Sequence, residues 1–554
     1  MPRRLLWICF GLWIPVAAQK PLTLVEILSL EAPSNPVLSP DGSQVLFEIS
    51  IADWKANRRV SHIWRVPASG GAPVRMTNGV GDTQPVWSPD GARFAFLRRV
   101  ENRTQIFVQL VAGGEAEQWT KHETNVSQPA WSRDGSRLYF VAPDKTPDRG
   151  RDDAYVFDQN QPYRRLWEIA TDPERRERRL TDGDFDLRQY SVAPDGRSIL
   201  YVAAPSPLLD DRGQVEIYRL DLGSSERRRL TTNQVAESEP RLSPDSSQIL
   251  FLAPSDPRLA DGYHQRGVFV MPASGGAPRL LIPDFPGEIQ AAQWAEQGLL
   301  LLANTGVETR LHRLRLTDRT PQPLTPTRQV LSEFHYAPGP DRWVAVASSP
   351  NSAGDLWLGD RRLTSLNPIV EKAALGRVEP YRWKAQDGAE IEGVVVHPVD
   401  YQKGRRYPLV AQIHGGPQSS SKLNFSAYGT SYPQFWAGRG YLLFLPNHRG
   451  SSGYGNAFLR DLKGFYWRHA ADDVLAGIDS LVRDGVADPD RLGIMGWSAG
   501  GHMTNWLITH SDRFKAASSG AGAANWISMY SQSDIRSHRD FWFGGDPWSD
   551  QAPL

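Results

Sequence analysis

Residues Ile494–Met503 read IMGWSAGGHM, which places Ser498 in the pattern Gly496-Trp497-Ser498-Ala499-Gly500. The preceding RLGIMG has the apolar character of a buried strand, and the following GGHMTNWLITH has the composition of a helix that starts on small residues. A Gly-x-Ser-x-Gly between such a strand and such a helix is the sharp turn that holds a serine hydroxyl above a sheet. The glycines give the chain room to turn and to pack closely. The helix N-terminus that follows favours developing negative charge. The spacing therefore predicts Ser498 as a nucleophile on an α/β-hydrolase sheet.

Working outward, the flanking sequence supplies the rest of such a sheet. YRWKAQDGAEIEGVVVHP reads as a hairpin turning at Asp387-Gly388. YPLVAQIH and GYLLFLPN are continuous apolar strands, the signature of a mostly parallel sheet. ADDVLAGIDSLVRDG carries Val474, Ile478, Leu481 and Val482 on one helical face, with acidic residues expected in its first turn. FKAASSGAG reads as one further strand. Ile413–Gln418, IHGGPQ, follows a buried strand where an oxyanion loop belongs. The backbone N–H groups of Gly416 and Ala499 are the candidate donors to a tetrahedral oxyanion. His414, inside that loop, is expected to shape it by hydrogen bonding and not to act as the base.

The first two thirds of the chain are built differently. LSPDGSQVLFEI, WSPDGARFAFLR, WSRDGSRLYFVA, VAPDGRSILYVA and LSPDSSQILFLA recur, with Asp41, Asp90, Asp134, Asp195 and Asp245 at intervals of 49, 44, 61 and 50 residues. Two weaker copies begin at Gln293 and Tyr336. Pro-Asp-Gly is turn chemistry, and the alternating apolar run after it reads as a strand. A second strand follows in each copy (HIWRVP, QIFVQL, RLWEIA and their equivalents), then a short RLT-like strand. Repeats of this period without helices indicate a propeller, and seven copies predict seven blades. One aspartate per turn lacks the clustered oxygens of a calcium loop, so these are read as structural turn residues.

The chain has 62 Lys+Arg against 62 Asp+Glu, which argues against nucleic acid or an anionic membrane as partner. MPRR, the 12-residue apolar run LLWICFGLWIPV and Val16-Ala17-Ala18 read as a cleaved export signal over residues 1–18. That run is shorter than the roughly 20 residues a membrane span needs. A periplasmic or secreted location follows as the expectation. Cys9, the sole cysteine, lies within the signal, so the mature chain would hold neither disulfides nor a Cys-ligated metal, and no cofactor or metal is expected. The expected organisation is a signal peptide (1–18), an all-β seven-bladed propeller (19–362), a linker (363–380) and an incomplete α/β-hydrolase domain (381–554).

The Pro-Asp-Gly propeller together with HGGP, NHRGSSGYG (Asn447–Gly455) and GWSAGG resembles the prolyl oligopeptidase family of serine peptidases. The resemblance is strongest to its acylaminoacyl-peptidase and dipeptidyl-peptidase-like bacterial members. Seven repeats fit the prolyl oligopeptidase and acylaminoacyl-peptidase branch. The resemblance implies that Trp526, in AANWISMY, lines the pocket for the residue before the scissile bond. Two departures stand out. Ala499 replaces the aromatic that many members carry after the nucleophile, and the chain has no Glu-Glu pair of the kind dipeptidyl peptidases use to read a free amino terminus. The triad order is Ser, then Asp or Glu, then His, on later strands. His502 and His510 lie on the helix after the nucleophile, and His538 precedes any strand that could carry the acid. The catalytic Asp and His are therefore expected beyond residue 554, leaving these 554 residues with little turnover of their own. The implied activity is cleavage of short oligopeptides through an acyl-enzyme, with the propeller excluding folded proteins. An esterase on the same fold, or a propeller binding protein with a vestigial hydrolase domain, are the alternatives.

Overall fold

The computed structural model describes residues 19–146 and 161–549, apart from residues 234, 257, 260, 261, 428–430 and 535. The segment read as an export signal lies outside the described residues. Residues Ala32–Arg362 form seven four-stranded antiparallel sheets, one for each of the seven repeats. In the Asp-Gly turns of the blades the aspartate accepts from the backbone N–H two residues on. Asp41 accepts from Ser39 Oγ and from Ser43 N–H, and Asp134 accepts from Ser132 Oγ and Ser136 N–H. These hydrogen bonds hold both carboxyls down at about 2.

Neighbouring blades are joined by their innermost strands. Each inner strand carries a bulge, and in four blades a non-glycine residue there has positive φ: Asn35, Gln84, Gln128 and Glu239. The twisted backbone aims its amide at the adjacent blade. Gln84 N–H donates to Glu48 at 2.7 Å, and Glu239 N–H to Gln189 at 3.0 Å. The same device closes the ring, since Asn35 N–H of the first blade donates to Glu333 of the seventh at 2.6 Å. Leu38, Val45 and Phe47 pack there against Val344, Val346 and Leu356, so closure rests on apolar packing and side-chain hydrogen bonds, without an exchanged strand. The repeat tryptophans stitch further blades, with Trp87 Nε1 donating to Val37 O at 3.0 Å.

The C-terminal sheet has six strands: β1 (Val378–Lys384), β2 (Glu390–Val396), β3 (Tyr407–Ile413), β4 (Leu442–Asn447), β5 (Ala487–Trp497) and β6 (Phe514–Gly520). Their order is β1-β2-β4-β3-β5-β6, antiparallel through β2–β4 and parallel thereafter. One face is covered by α1 (Arg468–Arg483), which buries Val474, Ile478 and Leu481 against Phe444 and Leu409. The helix starts one turn earlier than the sequence suggested, and its first turn holds no acidic residue. Asp473 sits in the buried interior instead, because Arg449 binds it through Nε and Nη2. Beyond β5 come α2 (Ala499–His510), α3 (Trp526–Gln532) and α4 (Arg536–Phe543). Among the described residues no helix is long and apolar enough to cross a membrane.

Residues 20–31 precede the first blade and tie the two units together. Ala374 N–H donates to Lys20 O at 3.0 Å, while Leu22, Ile27 and Leu30 pack with Ala353, Val370 and Phe425. Blades five to seven also grip the hydrolase domain directly. Gly306 N–H donates to Gly453 O, Leu423 N–H to Val307 O and Phe425 N–H to Ser349 O, all within 2.9 Å. Tyr263 of the fifth blade is buried in the hydrolase core, its ring stacked on Phe541 at 4.3 Å.

Candidate active site

The register of two parallel strands brings the site together. Ile413, the last residue of β3, pairs with Gly496 near the end of β5, so His414–Gly416 and Trp497–Ala499 leave the sheet side by side. Ser498 has φ 54° and ψ −121°, a left-handed conformation that a side chain adopts only at a cost. Its N–H donates to Gly520 O at 2.9 Å, and its carbonyl accepts from His502 N–H at 2.9 Å. The glycines on either side have no room for substituents. A Cβ at Gly496 would collide with the Gly500 backbone, and one at Gly500 with Ile413 O. Ala499 is the first residue of α2, so its N–H has no acceptor within the helix.

The oxyanion loop lies against this turn. A Cβ built on Gly415 would be 3.0 Å from Trp497 O and 3.6 Å from Ser498 Cβ. His414 is half-buried, and desolvation draws its pKa down to about 3, so the ring is neutral. Its Nδ1 lies 2.8 Å from Gly415 O and its Nε2 2.9 Å from Ser451 Oγ. Ser451 Oγ also donates its one proton to His448 O at 2.6 Å, so this serine ties His414 to the neighbouring segment. The planar trans peptide then turns the Gly416 N–H away from the His414 ring. His448 stacks on His414 at 5.0 Å and fixes its plane. His414 is thus occupied as a shaping residue, in the role the sequence suggested.

The other histidines of this region are placed elsewhere. His502 is buried one turn along α2, 4.8 Å from the Trp526 ring and 3.4 Å from Tyr466 Oη, and burial lowers it to about 4. His510 stacks on Trp506 at the exposed end of α2. The His538 side chain lies outside those described. Among the described residues none makes a hydrogen bond to Ser498 Oγ. Trp526 lines a cavity of about 710 Å³ with Tyr466, Trp467, His502 and Phe543, and also packs on the hydrolase core. Ser498 does not itself line that cavity.

The sequence left several contributors unassigned. NHRGSSGYG supplies His448 and Ser451, which hold His414, and Arg449, whose ion pairs with Asp473 and Asp387 anchor the segment. An arginine ending an apolar strand, with a buried aspartate on the helix opposite, was the available signal.

A strand–turn–helix serine beside a glycine-rich loop, on a mostly parallel sheet capped by a propeller, defines a serine hydrolase of the α/β-hydrolase class. The Prolyl oligopeptidase family profile matches residues 427–553, and that of the TolB beta propeller domain matches residues 30–207. The chain thus carries a prolyl oligopeptidase family peptidase domain together with a TolB-type propeller. It is 26% identical to the uncharacterized peptidase YuxL of Bacillus subtilis, over 93% of this chain and 84% of that protein. It is 24% identical to dipeptidyl-peptidase 5 of Porphyromonas gingivalis, over 95% and 82% of the two chains. In structure it is similar to the acylaminoacyl peptidase of Pyrococcus horikoshii, with a TM-score of 0.79 at 22% identity, covering 96% of this chain and 84% of that one.

Proposed function

We propose that Ser498 is the acylated nucleophile of a peptidase acting on short peptides. The observation that carries this reading is the strained Ser498 turn set against Gly415 by strand register. Ser498 Oγ attacks the scissile carbonyl, and the N–H groups of Gly416 and Ala499 receive the oxyanion. The amine product leaves, and water then releases the acyl group from the serine. Trp526 lines the pocket for the residue before the cleaved bond, and Ala499 leaves space where an aromatic would stand. The clamp by blades five to seven supports a propeller that filters substrates by size. The export signal supports action in the periplasm or outside the cell.

The general base and the acid that orients it come, in this reading, from outside the described residues, and the 554 residues alone turn over little. The support is that His414 and His502 are both neutral and held by other partners. Side-by-side assays of a peptide amide and an activated aryl ester test the reading. The expected result is one slow equivalent of phenol released from the ester, lost in Ser498→Ala, with no amide turnover. Sustained amide hydrolysis at an ordinary peptidase rate would overturn the assignment of the base, and ester cleavage surviving in Ser498→Ala would overturn that of the nucleophile.

A further inference from the structure

The cavity lined by Trp526 contains a polar group that the proposed chemistry does not use. Its walls are aromatic. The Trp526 ring lies 5.0 Å from that of Phe543 and stands edge-on to Tyr466 at 5.8 Å, with Trp467 beside them. One face of α2 supplies the remaining wall through His502, Asn505 and Thr509. His502 is 5% exposed, Asn505 is half-buried and Thr509 is exposed, so the histidine marks the deep end. Arg468, the one cation in the lining, is exposed at the rim and lies over the Phe465 ring at 5.4 Å.

His502 is held on one side only. Its Nδ1 lies 3.4 Å from Tyr466 Oη, and among the described residues Nε2 has no hydrogen-bond partner. Burial keeps the ring neutral, at about 4, so it carries a single N–H. The Tyr466 hydroxyl is itself buried and has no other acceptor among the described residues, so its proton belongs on Nδ1. The histidine hydrogen then sits on Nε2, a donor without an acceptor in an aromatic chamber. A buried donor left unpaired is costly, and a ligand that brings the acceptor removes that cost. An aromatic-walled cavity of about 710 Å³ with a polar group at its deep end has the form of a small-molecule site.

We propose that this cavity takes the phenol ring of a tyrosine, its oxygen accepting from His502 Nε2 and its ring packed against Trp526 and Phe543. A phenylalanine ring would meet the same walls but leave the histidine donor unpaired, and a site of that kind discriminates against the analogue lacking the oxygen. The phenol site stands on the cavity alone. That the tyrosine is the residue before the cleaved bond rests on the roles given above to Ser498 and Trp526.

Calorimetric titration of the 554-residue chain with N-acetyl-tyrosinamide and N-acetyl-phenylalaninamide tests it. Binding is read without turnover, so a failure here is distinct from a failure of Ser498 as nucleophile, which its own labelling reports. The expected result is saturable binding of both, with the tyrosine ligand at least about tenfold tighter. His502→Leu, which keeps a side chain of similar bulk, should bring the two affinities within about twofold while the phenylalanine ligand binds no more weakly than before. Trp526→Ala, at a half-buried position, should weaken both ligands by about tenfold or more. Equal binding of the two ligands to the unaltered chain would overturn the proposal, as would a tyrosine preference that survives in His502→Leu. Affinities unchanged in Trp526→Ala, or no saturable binding of either ligand, would overturn it as well.

Discussion

A left-handed serine costs the chain about 1–3 kcal/mol, and at Ser498 the surrounding backbone holds it there through the Gly520 carbonyl and the α2 start. The cost depends on glycine at both flanks. Gly500→Ala would drive a methyl into Ile413 O and His414 O, so it should destabilise the fold by about 1–3 kcal/mol in denaturant unfolding. It should also slow any acylation of Ser498, because the elbow must shift. Titration adds a second prediction at this scale. His414, His502 and His335 are held neutral by burial, at about 3, 4 and 4, below their ordinary 6.5. The unfolded chain takes up those protons first as pH falls. Stability is therefore full above about pH 6.5 and declines as pH drops towards 4 and 3. Asp41 and Asp134, lowered to about 2, add a loss of the same sign at still lower pH. Unfolding midpoints measured from pH 8 downward should fall across this window. A flat profile down to pH 4 would contradict the placement of the three histidines.

At the scale of elements, the Arg449–Asp473 pair locks the NHRGSSGYG segment onto α1. Arg449→Met would leave Asp473 buried and unpaired, a loss of about 3–5 kcal/mol by denaturant unfolding. Adding Asp473→Leu should recover more than half of it, whereas a purely additive double variant would show that the pair is not coupled. This pair also marks where sequence reading stopped. Turn residues and strand alternation are local, so the seven blades, the elbow at Ser498 and the HGGP loop were legible from residue order alone. Long-range pairings were not. Nothing local says that Asp473 faces Arg449, that Ser451 holds His414, or that Lys422 reaches Asn304 on the sixth blade. The first turn of α1 was misplaced for that reason, since its aspartates read as helix-start charges until their partner was seen. The Trp526 position came from family resemblance, and the structure adds its aromatic neighbours.

For the whole molecule, the two units meet unevenly. Blades five to seven and the 20–31 segment carry most of the contacts described above, and the blades reach Gln418 of the oxyanion loop and Gly453, Asn456 and Arg460 in and just after the NHRGSSGYG segment. Tyr263 is the deepest of these contacts, placing a propeller aromatic inside the hydrolase core. Tyr263→Ala should remove about 3–5 kcal/mol of packing and split calorimetric unfolding into separate propeller and hydrolase transitions. A single transition with an unchanged midpoint would mean that the interface contributes little. The central proposal is narrower: Ser498 acts as a nucleophile with Gly416 and Ala499 as its oxyanion donors, and among the described residues no histidine hydrogen-bonds its hydroxyl to serve as base. Its most direct test is the rate at which a fluorophosphonate labels the 554-residue chain, followed from about pH 6 to 9 with the modified residue mapped. The account predicts slow labelling confined to Ser498, rising with hydroxide without a plateau. Fast labelling with a sigmoidal midpoint near pH 7, or labelling at another residue, would contradict it.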